Sequence, residues 1–111
     1  MIHHDVMMVG ASPDGLIAPN GGVEIKCPHN PVRHYAALKG MPTEHAPQVQ
    51  TCIWLAEAEW WDFVSFDPRF PPHLRLIIHR IERDDGYISD LHSAVSRFLD
   101  ETAVKVEEMT V

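Results

Sequence analysis

The sequence predicts a mixed α/β domain in which helices flank a small β-sheet. Short apolar runs alternate with Pro/Gly turn signals in the N-terminal quarter. Segments of helical period then separate and follow β-branched and aromatic runs, giving the order β-β-β-α-α-β-β-α. The length of 111 residues fits one domain with one core, covering 1–111. With 45% hydrophobic and 23% charged residues, the chain is neither disordered, collagen-like nor coiled-coil.

Each element has a local cause. Residues 7–9 are an apolar strand ending at Gly10, and His3-His4 is an exposed strand lead-in. Pro13-Asp14-Gly15 is a turn: Pro presets φ, Asp bonds nearby backbone, and Gly accepts φ > 0. Residues 16–18 are apolar again, and Pro19-Asn20-Gly21-Gly22 turns the chain once more. Residues 23–27 alternate. Val23, Ile25 and Cys27 point one way, taken as the core side, and Glu24 and Lys26 point outward. Residues 32–39 form a short helix ended by Gly40, and residues 43–57 a second one with Thr43 as N-cap. Its apolar stripe is Val49, Cys52, Ile53 and Ala56. Residues 60–66 and 74–82 are strands that pair antiparallel, and Asp84-Asp85-Gly86 is a turn. Residues 88–109 show helical spacing of Ile88, Leu91, Val95, Phe98, Leu99, Val106 and Met109.

Charge narrows the function. The net charge is −7, and residues 51–111 hold most of it, with six Lys/Arg against twelve Asp/Glu. Such a chain lacks the phosphate attraction behind non-specific DNA affinity. Action on nucleic acid then needs metal ions, a local basic patch or another chain's charge. Arg69, Arg75, Arg80 and Arg83 surround the strand pair and offer such a patch unless Asp67, Glu82 or Asp84 neutralise them. No apolar run is long enough to span a membrane. Cys27 and Cys52 make no disulfide framework and read as reduced core residues; with His29 they lack the spacing of a zinc site. Trp54, Trp60, Trp61, Phe63 and Phe66 read as core rather than as a stacking platform, since no basic residues interleave with them.

Asp14, Glu24 and Lys26 are the residues that carry chemistry. Period-2 geometry sets Glu24 and Lys26 side by side on one strand face, and Asp14 opens the same hairpin. Two converging carboxylates are hard oxygen ligands for Mg²⁺ or Mn²⁺, joined by a backbone carbonyl such as that of Ile25. An adjacent ammonium orients or helps deprotonate water and offsets phosphodiester charge. Glu-x-Lys on a strand and Pro-Asp-Gly in a turn are common in solvated surfaces, so their combination carries the reading. His45, one helical turn before Gln48, shares its face.

Ser12-Pro13-Asp14-Gly15, Glu24-Ile25-Lys26-Cys27-Pro28, Gln48-Val49-Gln50 and Phe66-Asp67-Pro68-Arg69, in this order, resemble the YqaJ-like viral recombinases. This is the bacteriophage lambda exonuclease family, within the PD-(D/E)xK nuclease superfamily. The similarity extends through Ile81-Glu82-Arg83-Asp84 into the last helix. It implies a restriction-endonuclease-like core and a metal-dependent 5′→3′ exonuclease on linear double-stranded DNA, used in phage or prophage recombination in the bacterial cytoplasm. By position, Asp14 and Glu24 would hold the metal with the Ile25 carbonyl, and Lys26 would be the catalytic lysine. Gln48 would be the active-site glutamine, and Ser12 would lie near the 5′-phosphate of the DNA end. The implied partners are DNA ends, a single-strand annealing protein and copies of the chain in a trimer. The family's N-terminal helical half, with a further active-site acid and a phosphate-gripping arginine, has no counterpart in these residues. Two alternatives stand beside the exonuclease: a non-catalytic remnant serving as an interaction domain, and an endonuclease of the same superfamily. Glu24 and Lys26, read as outward-facing, are expected to be replaceable with little loss of fold.

Overall fold

The structure is a computed structural model that describes residues 2–4, 9–11 and 14–109, the first two segments through their backbone. Ser12 and the predicted strand residues Met7 and Met8 lie outside the described residues. Strands β1 (Ile2–His4) and β2 (Val9–Ala11) pair antiparallel as a two-stranded sheet. The main sheet has the order β3-β4-β5-β6, formed by Gly15–Ile17, Gly21–Lys26, Trp60–Phe66 and Leu76–Glu82. Its outer pairs are antiparallel and β4–β5 is parallel, so the sheet is mixed as predicted.

A parallel pair needs a long crossover. Helices α1 (Pro31–Ala37) and α2 (Ala46–Leu55) supply it. Asn30 caps α1 by accepting the Val32 N–H at 2.9 Å, and Pro31 fits the first turn, where no N–H is needed. The predicted helix over 43–57 is shorter. Thr43–His45 is a 3₁₀ turn whose N-cap position is Pro42, and His45, not Thr43, stands at the N-cap of α2. Pro47 sits in the first turn of α2, where a proline is accommodated.

The predicted stripe of α2 is the core: Val49, Cys52 and Ile53 pack with Ala58, Trp61 and Ile88. A second cluster joins Ala37, Phe63 and Ile77. Trp61 and Phe63 are buried as expected, but Phe66 is exposed and Trp60 half-buried, with the Arg80 guanidinium 3.7 Å above its ring. The close approach of the tryptophans explains the glycine pair of β4. A Cβ on Gly21 would meet the Trp60 ring at 2.1 Å, and one on Gly22 the Trp61 ring at 2.3 Å.

The alternation of β4 is real, but its faces are reversed. Gly22, Glu24 and Lys26 stand in register with buried Trp61, Phe63 and Ser65, so they face the helices. Glu24 is only 5% exposed, whereas Ile25 is 49% exposed and Cys27 is exposed rather than core. Ile25, Val64 and Ile78 form a register row across the outer sheet face, with Phe66 and Leu76 beside it. Among the described residues no helix covers that face.

Helix α3 (Asp85–Met109) starts where a turn was predicted. The Asp84 carboxylate accepts the Tyr87 N–H at 3.0 Å, capping the helix. Gln50, buried on α2, donates to the Glu82 carbonyl and accepts the Asp84 N–H, tying the end of β6 to this start. Twenty-five residues make a rod of about 37 Å. Only Ile88 of its stripe is fully buried, and the distal Phe98 and Met109 are exposed, so the molecule measures 61 × 31 × 24 Å.

Candidate active site

The hairpin β3–β4 and helix α2 bring most of the predicted residues together. Asp14, just before β3, accepts the Ile25 N–H on Oδ2 at 2.7 Å, so it folds back beside the middle of β4. On the helix-facing side, Lys26 Nζ stands 3.2 Å from Glu24 Oε1. Gln48 projects from the first turn of α2, donates from Nε2 to Glu24 Oε1 at 2.9 Å, and accepts from Lys26 Nζ at 3.2 Å. The ammonium can only donate and the carboxylate can only accept, which fixes the orientation of the Gln48 amide. Three side chains thus close a ring around Glu24 Oε1. Glu24 Oε2 is buried and has no hydrogen-bond partner among the described residues. Leaving a polar oxygen in that state costs about 1–3 kcal/mol, and more when it is charged.

The two glutamines of Gln48-Val49-Gln50 lie two positions apart, roughly 200° around the helix. Gln48 therefore reaches the site while Gln50 serves the fold, and Val49 enters the core. Ser12 lies outside the described residues.

The Phe66-Asp67-Pro68-Arg69 motif has a structural role that goes beyond the Asp67–Arg69 pairing the sequence suggests. Asp67 is buried and accepts the Arg69 backbone N–H, Nε and Nη2 at 3.0, 2.8 and 2.8 Å. Those Arg69 bonds hold the Asp67 carboxyl below its ordinary 3.8. Arg69 also donates to the Pro28 and His29 carbonyls at 2.9 and 2.7 Å, anchoring the loop that leaves β4 just after Lys26. The predicted arginine patch is largely neutralised, though by partners other than Glu82 and Asp84: Arg80 pairs with Asp62 and Arg83 with Asp85, while Arg75 donates to the Phe70 carbonyl.

Other titratable groups report on the site's surroundings. Burial, with the Glu24 and Asp14 charges nearby, pushes the Cys52 thiol up to about 11. Burial holds His45 below 6.5, Lys26 and Arg33 push the same way, and Glu44 and Glu24 oppose them. His34, fully buried, sits between Ser65 Oγ at 2.8 Å and the Leu74 carbonyl at 2.7 Å. The carbonyl can only accept, so Nε2 carries the proton and Nδ1 accepts from Ser65.

The carboxylate pair suits a hard divalent cation. Asp14, Glu24 and the Ile25 carbonyl are the groups that would hold it, and the unpartnered buried Glu24 Oε2 fits that use. Among the described residues no cluster of three or more His, Cys, Asp or Glu side chains could hold a metal ion, so such a site also needs backbone and water oxygens. None of the described helices is long and apolar enough to cross a membrane.

The crystal structure of an alkaline exonuclease (LHK-Exo) from Laribacter hongkongensis matches with TM-score 0.84 and 40% identity, over 91% of this chain and 53% of that one. The structure of LHK-Exo in complex with dAMP matches with TM-score 0.89 and 40% identity, over 97% and 56%. The chain therefore spans about half the length of these relatives. No curated protein matches it. The model of the YqaJ-like viral recombinase domain matches residues 1–59, and the chain belongs to that family.

Proposed function

We propose that the chain is the catalytic core of a metal-dependent deoxyribonuclease that trims linear double-stranded DNA from its 5′ ends. The observation that carries this reading is the buried Glu24 carboxylate, with Lys26 and Gln48 on one oxygen, the other oxygen unpartnered, and Asp14 folded against the next residue. A bound Mg²⁺ or Mn²⁺ would lower the pKa of water and stabilise charge on the phosphoryl oxygens. The chain's own residues do the rest. Asp14 and Glu24 hold negative charge at fixed positions, and the Ile25 N–H locks Asp14 in place. Lys26, one-third exposed, presents an ammonium that offsets phosphodiester charge or moves a proton to or from water. Gln48 holds Glu24 and Lys26 in register, so neither reorganises during reaction.

Membership of the YqaJ-like family and the exonuclease relatives support the substrate class and a role in phage or prophage recombination in the bacterial cytoplasm. The same kinship supports Ser12 beside the 5′-phosphate, assembly of copies into a trimer, and hand-over of the exposed strand to an annealing protein.

The test is nucleotide release from 5′-phosphorylated linear duplex with Mg²⁺, compared with a closed circle and with Asp14→Ala. Release from the linear form alone, abolished by the substitution, is expected. Cutting of the circle would make the enzyme an endonuclease. Absence of release across metals and protein concentrations would favour the non-catalytic reading.

A further inference from the structure

The β4–β5 ladder ends at the pair Lys26–Ser65. Beyond it Pro28 has no N–H to extend the ladder, and residues 26–30 run along a cavity of about 550 Å³. Cys27, His29 and Asn30 are exposed, so core packing does not hold this segment. Arg69 holds it instead. From the loop after β5 it donates Nη2 to the Pro28 carbonyl at 2.9 Å and Nη1 to the His29 carbonyl at 2.7 Å. Its Nε and Nη2 also grip the buried Asp67 carboxylate, each at 2.8 Å. These contacts occupy four of the five guanidinium N–H donors, so Arg69 is not a free cation for a phosphate. The loop that carries it is itself tied down. The Asp67 N–H donates to the Arg75 carbonyl at 3.0 Å, and Arg75 Nε donates to the Phe70 carbonyl at 2.8 Å.

We propose that Asp67 and Arg69 are positioning residues for the candidate catalytic Lys26. They take over where the ladder stops and fix the end of β4. The ammonium then stays 3.2 Å from Glu24 Oε1 and 3.2 Å from Gln48 Oε1. The inference rests on the nuclease reading of Lys26 and Glu24, and it adds the groups that hold the lysine's backbone still. The fork matters more than the charge. An arginine spans a carboxylate and two carbonyls at once, whereas a lysine is a point donor on a flexible stem. A displacement of about 1 Å at a reacting group can cost about 10²-fold in rate.

The test is the kinetics of linear-duplex cleavage with Mg²⁺ for Arg69→Lys and for the double variant Asp67→Asn/Arg69→Met. The double variant removes the grip and the buried charge together, and the amide oxygen at position 67 still accepts the backbone N–H of position 69. It should therefore fold, as circular dichroism checks; if it does not, Arg69→Lys decides alone. In both, kcat should fall about 10–10²-fold with KM within about two-fold of the parent. A nitroxide on exposed Cys27, with Cys52 buried, should give a narrower and more mobile electron paramagnetic resonance line than in the parent. Asp62→Asn/Arg80→Met, which removes another ion pair from the outer sheet face, should leave both kcat and the line unchanged. Parental kcat in Arg69→Lys would reduce the role to neutralising Asp67 and overturn the proposal. An unaltered nitroxide line, or an equal loss of kcat in Asp62→Asn/Arg80→Met, would also overturn it. A parent that cleaves nothing removes the nuclease reading and the positioning role with it. A parent that cleaves, but no faster than the folded variants, removes the positioning role alone.

Discussion

Replacing Glu24 with glutamine separates what the carboxylate does for chemistry from what it does for the fold. The side chain is 5% exposed, Oε1 takes the Gln48 amide and the Lys26 ammonium, and Oε2 has no partner among the described residues. Glutamine keeps the shape and an acceptor at Oε1, so the ring of contacts survives. An unpaired buried amide replaces an unpaired buried carboxylate oxygen, each costing about 1–3 kcal/mol and more when charged. The Lys26 attraction that is lost is worth about 0.2–1 kcal/mol, because Lys26 is one-third exposed. The penalty for holding a charge out of water, several kcal/mol in general, is relieved. The relief outweighs the lost attraction, so the variant should melt no lower than the parent. Cleavage of linear duplex should fall by at least about 10²-fold, the scale of losing one preorganised electrostatic group. Melting followed by circular dichroism in EDTA, beside the duplex assay, reads both quantities. A variant that melts well below the parent, or one that cleaves at the parental rate, would refute the reasoning.

Three further outcomes follow from the same geometry. Gly22→Ala places a methyl 2.3 Å from the fully buried Trp61 ring and should cost about 1–3 kcal/mol, seen as a lower urea midpoint. Asp67 has a folded pKa below its ordinary 3.8, so its contribution is present above about pH 4 and is lost as pH falls through the folded value. Acid titration of Asp67→Asn should therefore show a shallower loss of stability below pH 4 than the parent. Cys27 is exposed while Cys52 is buried with its thiol pushed up to about 11, so a disulfide reagent at pH 8 should label one thiol in the folded protein. The second should react only on unfolding, and equal rates for both would contradict the burial.

The sequence conveyed the elements better than it conveyed their surroundings. Alternation in β4 was legible, yet the side facing the helices was assigned backwards. Apolar Val23 and Ile25 looked like core, but the slot left by Gly22 for Trp61 turns the Glu24 face inward. That slot depends on a parallel pairing between residues far apart in the chain, which no local pattern reveals. The expectation that Glu24 faces outward failed for this reason, and its replacement by alanine should leave a buried gap rather than a surface change. Asp84 and Gly86 looked like turn formers because aspartate suits turns and helix caps for the same hydrogen-bonding reason. Arg69 was legible as a partner of Asp67, but its grip on the Pro28 and His29 carbonyls needed coordinates. The ring contact of His45 with Phe63, 5.0 Å between centroids, joins two elements and has no signature in either.

The most direct test of the central claim is Mn²⁺ binding followed by electron paramagnetic resonance, for the parent, Asp14→Asn and Glu24→Gln. Saturable binding by the parent, weakened at least about ten-fold in both folded variants, is the predicted result. Equal Mn²⁺ affinity in all three proteins would contradict it.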